Sequence, residues 1–200
     1  MKVAKINKDM IMRAALKLIL EHKSSASLTI RDVAKELGCS HPNIYNYYGS
    51  MLELRWDCLL RAMEEMMEHT ARNLTPEGDS DSRFQQFFLV LCAYFLEHPG
   101  YYRLIWFDPM GESIPEHAVP RLQAPGLRLR DFALNLYPEL GNPQVAAESM
   151  LMIHRYFHGE MSTIISGRVI PEDFETIKKR VAHNCLWLMH AFIKEIHEER

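Results

Sequence analysis

The sequence predicts an all-α protein, and three observations carry this prediction. Apolar residues recur three and four positions apart along nearly the whole chain, no segment alternates as a β-strand does, and no internal repeat is present. Of the 200 residues, 48% are hydrophobic and 24% are charged, which is ordinary for a globular protein. This composition excludes a disordered or collagen-like chain.

Three short helices are predicted in the first fifty residues. The first runs from Met10 to Leu20, with its apolar side chains on one face. Thr29–Asp32 has the form of a capping box that opens a second helix, and Gly38 is typical of the residue just after a helix end. Ser40 is expected to cap a third helix, which stops at Gly49.

The remaining elements are longer helices. Ser50–Glu53 is a second capping box, and it opens a helix predicted to continue to about Asn73. Loops are predicted over 75–82, which is polar and holds Pro and Gly, and within 110–125, which holds three prolines. The other predicted helices are 83–97, 101–107, 127–136, 144–166 and 172–199.

The second and third helices, with the tight turn between them, match a helix-turn-helix over Thr29–Tyr48. Such a motif packs its first helix against the second, so that the second presents polar side chains to the major groove of DNA. Packing is assigned to Ile30, Val33, Ala34, Leu37 and Ile44, and the outward positions to His41, Asn43, Asn46 and Tyr47. The alternative is an ordinary helical hairpin with a polar outer face.

Charge is unevenly distributed along the chain. Residues 1–55 hold nine Lys and Arg against five Asp and Glu, whereas residues 56–200 hold fourteen against twenty-one. The net charge of −3 therefore hides a positive N-terminal part, which favours a polyanionic partner for that part alone.

The run LTIRDVAKELGCSHPNIYNYYGS, Leu28 to Ser50, closely resembles the N-terminal domain of the TetR family of bacterial transcriptional regulators, and the resemblance extends over residues 8–55. It implies a DNA-binding domain at 1–50 and a helical effector-binding and dimerisation domain at 51–200. It also implies that Tyr45 and Tyr47 brace the groove-facing helix and touch phosphate, and that Thr29 and Arg31 approach the DNA backbone. The residues that it places on that helix are Ser40, His41, Pro42, Asn43 and Asn46.

Three positions depart from the family pattern. Cys39 replaces the usual Val, Tyr48 the usual Phe, and Met51 a Lys that commonly meets phosphate. Lysines 2, 5 and 8 of the N-terminal arm are expected to offset the last change. The C-terminal part is similar to a subgroup with a W-H-G signature, here with Phe157 in place of the Trp.

Met and aromatic residues are abundant between residues 83 and 165. Most of them must form a helical core, but an excess of such side chains also suits an adaptable apolar cavity. Because the resemblance implies an effector pocket among these helices, a small apolar or amphipathic effector is predicted. The residues chosen to line its site are Phe95, Tyr102, Trp106, His154 and Phe157.

The final helix carries two adjacent apolar stripes, more than one core can cover. A homodimer through residues 144–199 is therefore expected, and a dimer suits a palindromic operator in double-stranded DNA. Together these features predict a ligand-responsive repressor. The alternatives are a ligand-independent architectural DNA-binding protein and a helical enzyme.

Other classes of site find little support. Four dispersed cysteines without a C-x-x-C pair suggest neither disulfides nor a zinc knuckle, and no Cys or carboxylate joins the regularly spaced histidines of 154–158 or 183–197 at ligand spacing. No metal or cofactor is expected. No hydrolase, metalloprotease or phosphate-loop motif occurs, so an enzyme is not expected. Without an apolar run of 18 residues, a cytoplasmic protein with no membrane partner is predicted.

Overall fold

The computed structural model describes residues 6–168 and 172–198, and every regular element within them is helical. The all-α prediction is confirmed. Short 3-10 turns lie at Glu116–Ala118 and Pro138–Leu140. The α-helices are α1 Lys8–His22, α2 Ile30–Glu36, α3 His41–Tyr45, α4 Met51–Asn73, α5 Ser80–Glu97, α6 Pro99–Trp106, α7 Val119–Leu136, α8 Pro143–Ile165 and α9 Phe174–Glu198.

The chain forms two compact units. Unit 1 comprises Met1–Glu65 and His98–Val119, and unit 2 comprises Met66–Glu97 and Pro120–Arg200. Unit 1 therefore contains α1, α2 and α3 together with α6, although α6 follows much later in the chain. The sequence-based division at residue 50 stays a prediction. Among the described residues, no helix is both long and apolar enough to cross a membrane.

Local capping explains where the first helices begin and end. The Asn7 side chain accepts a hydrogen bond from the Met10 amide at the start of α1, and Lys23 ends that helix in the left-handed region at φ 57°. Thr29 forms the predicted capping box of α2. Gly38, at φ +65°, takes the positive backbone angle that ends α2, as predicted. Ser40 is the N-cap of α3, but its side chain makes no capping hydrogen bond.

Helix α6 packs against α1 at very short range within unit 1. A Cβ atom added to Gly100 would lie 2.3 Å from the Ile19 carbonyl oxygen, so only glycine fits there. The Arg103 Nη1 donates to the Lys23 carbonyl at 3.2 Å, one turn further along α6. These contacts fix the end of α1, and with it the start of the loop leading to α2.

Unit 2 has an aromatic core. Helix α5 contacts both α8 and α9. The Phe88 ring lies 5.2 Å from that of Phe84 and 5.6 Å from that of Phe157, which in turn lies 6.4 Å from that of Phe95. All four side chains are buried, which is the helical core that the aromatic spacing predicts.

Helices α8 and α9 run antiparallel. Tyr156 Oη accepts from Asn184 Nδ2 at 2.7 Å, and Glu160 pairs with Arg180 at 2.6 Å. Between these two contacts the residue number rises by four on α8, from Tyr156 to Glu160, and falls by four on α9, from Asn184 to Arg180. Continuing this register places Met152 beside Leu188, one turn from the Tyr156–Asn184 contact and about two turns from the Glu160–Arg180 pair.

Two helices begin inside segments that the sequence predicts as loops. Helix α5 begins at Ser80 because Asp79 accepts a hydrogen bond from the Ser82 amide at 2.8 Å, which caps the helix inside the predicted loop. Helix α7 begins at Val119, so that Pro120 lies in its first turn, where its missing N–H is not needed. Pro125 then lies inside this helix, against the usual preference of proline.

We expect Gly100→Ala to destabilise the protein by about 1–3 kcal/mol, because the added methyl group meets backbone that cannot move aside without shifting α1. The matched control is Gly126→Ala, in α7, where a Cβ meets nothing within 4 Å. That change should be neutral or stabilising by up to about 1 kcal/mol. Urea unfolding measures both, and equal effects would contradict the close packing of α6 on α1.

Candidate nucleic-acid interface

Helix α3 exposes all of its side chains except one. Ile44 is 0% exposed, whereas its neighbour Tyr45 is 52% exposed. His41, Pro42 and Asn43 are also exposed, as are Ser40 and Asn46 on either side of the helix. The seven residues from Ser40 to Asn46 therefore form a polar surface anchored by a single apolar side chain. Six of them are predicted DNA-contacting residues.

The packing of α2 against α3 holds this surface in place. Val33 and Ala34 on α2 are buried, as is Ile44 on α3. The amide of Cys39 donates to the Ala34 carbonyl at 2.9 Å, which closes the turn between the two helices. This is the arrangement that a helix-turn-helix requires, with a rigid first helix behind an exposed second one.

The loop between α1 and α2 is held by a carboxylate from the end of α6. Asp108 Oδ2 accepts from the Ser25 amide and from Ser25 Oγ, each at 2.6 Å, and Asp108 Oδ1 accepts from Ser24 Oγ at 3.1 Å. Ser25 is completely buried. Three donors on one carboxylate give strong, charge-assisted hydrogen bonds that fix the path of this loop.

A guanidinium from α4 holds the other end of the same loop. Arg55 Nη2 lies 3.0 Å from the Ala26 carbonyl oxygen and 3.4 Å from that of Leu28. Leu28 is buried and immediately precedes the N-cap of α2. The position of α2, and therefore that of α3, depends on Asp108 and Arg55 together.

Three further predicted DNA contacts lie outside α3, two of them at the start of α2. Thr29 Oγ1 lies 2.6 Å from Asp32 Oδ2, and the hydrogen bonds from Thr29 lower the pKa of Asp32. The Thr29 hydroxyl therefore works first as a helix cap. Arg31 is exposed, with no ion pair found to it among the described residues. The half-buried Tyr47 donates from its hydroxyl to the Ile6 carbonyl at 2.5 Å, which ties the N-terminal segment to the motif.

The start of α4 shows how the departures from the family pattern are accommodated. Burial, together with the Asp57 carboxylate, raises the pKa of Tyr48, whose hydroxyl is hydrogen-bonded to Asp57. Lys8 Nζ lies 4.7 Å from the centre of the Tyr48 ring and 3.4 Å from Glu53. An ammonium group thus lies near the first turn of α4, which begins at Met51. Lys2 and Lys5 lie outside the described residues.

The five predicted effector-lining residues fall in both units. Phe95, His154 and Phe157 belong to unit 2, and Tyr102 and Trp106 belong to unit 1. Phe95, Phe157 and Tyr102 are buried, whereas Trp106 is 42% exposed. Their role in binding a ligand stays a prediction.

His154 lies next to a second histidine on α8. Its Nε2 atom is 2.9 Å from that of His158. Burial lowers the pKa of both imidazoles, that of His154 to about 4 and that of His158 to about 3. Both rings are therefore neutral at pH 7. Within the described residues, no cluster of three or more potential metal ligands is found.

Sequence reasoning missed Asp108 and Arg55. Asp108 is 83 residues from Ser25 along the chain, and neither residue belongs to a recognisable motif. An isolated Asp before a proline is typical of a helix end or a turn. No sequence signal therefore indicates that Asp108 binds the loop between α1 and α2.

Comparisons with known proteins agree with this geometry. Residues 11–55 match the family model described as bacterial regulatory proteins, tetR family. The chain is 28% identical over 118 residues to an uncharacterized HTH-type transcriptional regulator from Mycobacterium tuberculosis, covering 57% of this chain and 51% of that protein. The match thus spans about half the length of this curated relative.

Solved structures extend the similarity to the whole fold. A tetR-family transcriptional regulator from Streptomyces coelicolor superposes with a TM-score of 0.73 at 17% identity, covering 96% of this chain and 88% of that one. A protein of unknown function from Rhodococcus sp. RHA1 gives a TM-score of 0.75 at 14% identity, covering 93% and 97%.

The fold and the exposed second helix define a helix-turn-helix protein. Over residues 11–55 the chain carries the N-terminal domain of the tetR family of bacterial regulatory proteins, as the sequence predicts, and its fold is similar to that of a solved tetR-family structure.

Ile44→Asp should unfold the helix-turn-helix, because it places an unpaired charge at a fully buried position. Asn46→Asp is the matched control, since it adds the same charge at an exposed position of the same motif. Circular dichroism should show lost helix and a lower melting midpoint for the first variant alone, while both should bind DNA more weakly. A fully folded Ile44→Asp protein would contradict the packing of α3.

Proposed function

We propose that the protein is a sequence-specific regulator of transcription that binds a palindromic operator as a homodimer and releases it when a small apolar or amphipathic molecule binds. The observation that carries the DNA-binding part is the exposed polar surface of Ser40–Asn46, anchored only by Ile44. Asn43 and Asn46 have the planar amides that read adenine edges, and His41 and Tyr45 offer donors to phosphate. Repression is the expected outcome, because an operator-bound dimer blocks access to a promoter.

Binding of duplex DNA should weaken steeply with salt. Residues 1–55 carry an excess of four positive charges, and each phosphate contact releases counterions, so the logarithm of affinity should fall linearly with the logarithm of salt concentration. Fluorescence anisotropy with labelled duplexes measures the slope. Arg31→Gln should reduce it by about one unit. An affinity that is constant between low and physiological salt would contradict phosphate binding.

The dimer is proposed to form through α8 and α9. Leu151, Met152 and Trp187 are exposed apolar residues on these helices, and Trp187 is 63% exposed. Extending the antiparallel register of the Tyr156–Asn184 and Glu160–Arg180 contacts brings Met152 and Trp187 to neighbouring turns, and we propose that they form one apolar patch. Leu188 and Phe192, also in the predicted interface, are half-buried. A second copy of the chain would cover this patch.

Trp187→Glu should convert the dimer to monomers, because a charge in a dehydrated apolar contact is strongly unfavourable. Leu127→Glu on α7 is the matched control, since Leu127 is similarly exposed but lies outside residues 144–199. Light scattering at micromolar concentration measures the mass. A monomeric wild-type protein, or dissociation by both variants, would refute the α8–α9 interface.

An effector is proposed to bind within residues 83–165, next to Phe95, His154 and Phe157. The neutral His154 can accept or donate a hydrogen bond without the cost of a buried charge, which suits an amphipathic ligand. Helix α4 has residues in both units, and its residue Arg55 supports the loop that leads to α2. A tenfold loss of operator affinity requires about 1.4 kcal/mol of preference for the non-binding state.

Screening apolar and amphipathic compounds should find one that both changes tryptophan fluorescence and weakens operator binding at least tenfold. His154→Ala should reduce the affinity for that compound, while His183→Ala, at an exposed position of α9, should not. If operator binding responds to no compound in a broad screen, the ligand-independent architectural protein replaces the regulator.

A further inference from the structure

A cleft in unit 2 is lined by none of the predicted effector residues. It has a volume of about 400 Å³ and opens among the start of α5, the segment that follows α7, and the C-terminal half of α9. This size is within the range of small-molecule sites in proteins. The residues that matter for its chemistry are Asp81, Leu136, Tyr137, Glu139, His190 and Ile193.

The carboxylate of Asp81, which lines the cleft, has two side-chain partners. Asp81 Oδ1 accepts from the Tyr137 hydroxyl at 2.9 Å, and His190 Nε2 lies 3.0 Å from Oδ1 and 2.9 Å from Oδ2. These three side chains come from three different segments of unit 2. A carboxylate has about four acceptor positions, so Asp81 retains capacity for a further donor.

The surroundings of this carboxylate are negative. Burial raises the pKa of Tyr137, and the carboxylates of Asp81, Glu139 and Asp79 raise it further. Lys194 also lines the cleft, but its ammonium group pairs with Glu198 at 3.6 Å. A cation entering the cleft therefore meets two lining carboxylates and one ammonium that already has a counter-charge.

The cation that fits is organic rather than metallic. Leu136, Ile193 and the ring of Tyr137 give the cleft an apolar wall, which a bare metal ion would not use. Within 6–168 and 172–198, no group of three or more His, Cys, Asp or Glu side chains is arranged to hold a metal ion. An ammonium group attached to an apolar chain satisfies both the carboxylates and the wall.

We propose that this cleft binds a small aliphatic amine, with its ammonium group between Asp81 and Glu139 and its apolar body against Leu136 and Ile193. The site shares no residue with the DNA-binding surface or with the proposed effector site. Because its walls come from α5, the segment after α7, and α9, a bound amine stabilises the folded form of unit 2.

Isothermal titration of the full chain with n-hexylamine tests the proposal, with n-hexanol and n-hexanoate as probes of equal length. Hexylamine should bind at least about tenfold more tightly than either, because only it supplies the positive charge. It should also raise the midpoint of thermal unfolding as its concentration increases. Absence of hexylamine binding, or equal affinity for the three probes, would overturn the proposal.

Two measurements locate the site. Glu139→Gln should weaken hexylamine binding at least about threefold, whereas Glu148→Gln, which removes the same charge from an exposed position on α8, should leave it unchanged. The imidazole proton resonance of His190, identified by its loss in His190→Gln, should shift as hexylamine is added. If Glu139→Gln leaves the affinity for hexylamine unchanged, or if the His190 resonance does not shift, the amine binds elsewhere and the proposed site is refuted.

Discussion

The loop between α1 and α2 is the constraint on which the DNA-binding surface depends. Asp108 holds its first residues through Ser24 and Ser25, and Arg55 holds its last residues through the carbonyls of Ala26 and Leu28. The buried donor of Ser25 would lose its partner if Asp108 were removed, at a cost of about 1–3 kcal/mol. Helix α2 begins one residue after this loop ends at Thr29, so the loop sets where α3 presents its polar face.

The helix-turn-helix was predictable because its signals are local. Thr29 and Asp32 are three residues apart, and Gly38 marks the turn by its need for a positive φ. The exposed and buried positions of α3 follow from helical periodicity around Ile44. Such short-range patterns can be recognised without knowledge of the rest of the chain.

The supporting contacts were not predictable, since they join distant parts of the sequence. Asp108 and Ser25 are 83 residues apart, and the fit of Gly100 against Ile19 depends on the path of α6. Three prolines led to a predicted loop over 110–125, but Pro120 falls in the first turn of α7, where proline is tolerated. In α9 the apolar stripes predicted an interface, but those stripes do not include Trp187, whose side chain is 63% exposed.

The central claim is that the protein binds a specific palindromic sequence as a dimer. Selecting bound duplexes from a random pool tests it most directly, because the selected sequences reveal both sequence specificity and two-fold symmetry. The exposed polar helix of each protomer predicts enrichment of a two-fold symmetric sequence, with half-sites separated by about one turn of the duplex or a multiple of it. Recovery of such a palindrome by the folded protein at physiological salt would support a dimeric, sequence-reading regulator. A folded protein that enriches no sequence over the starting pool would contradict it.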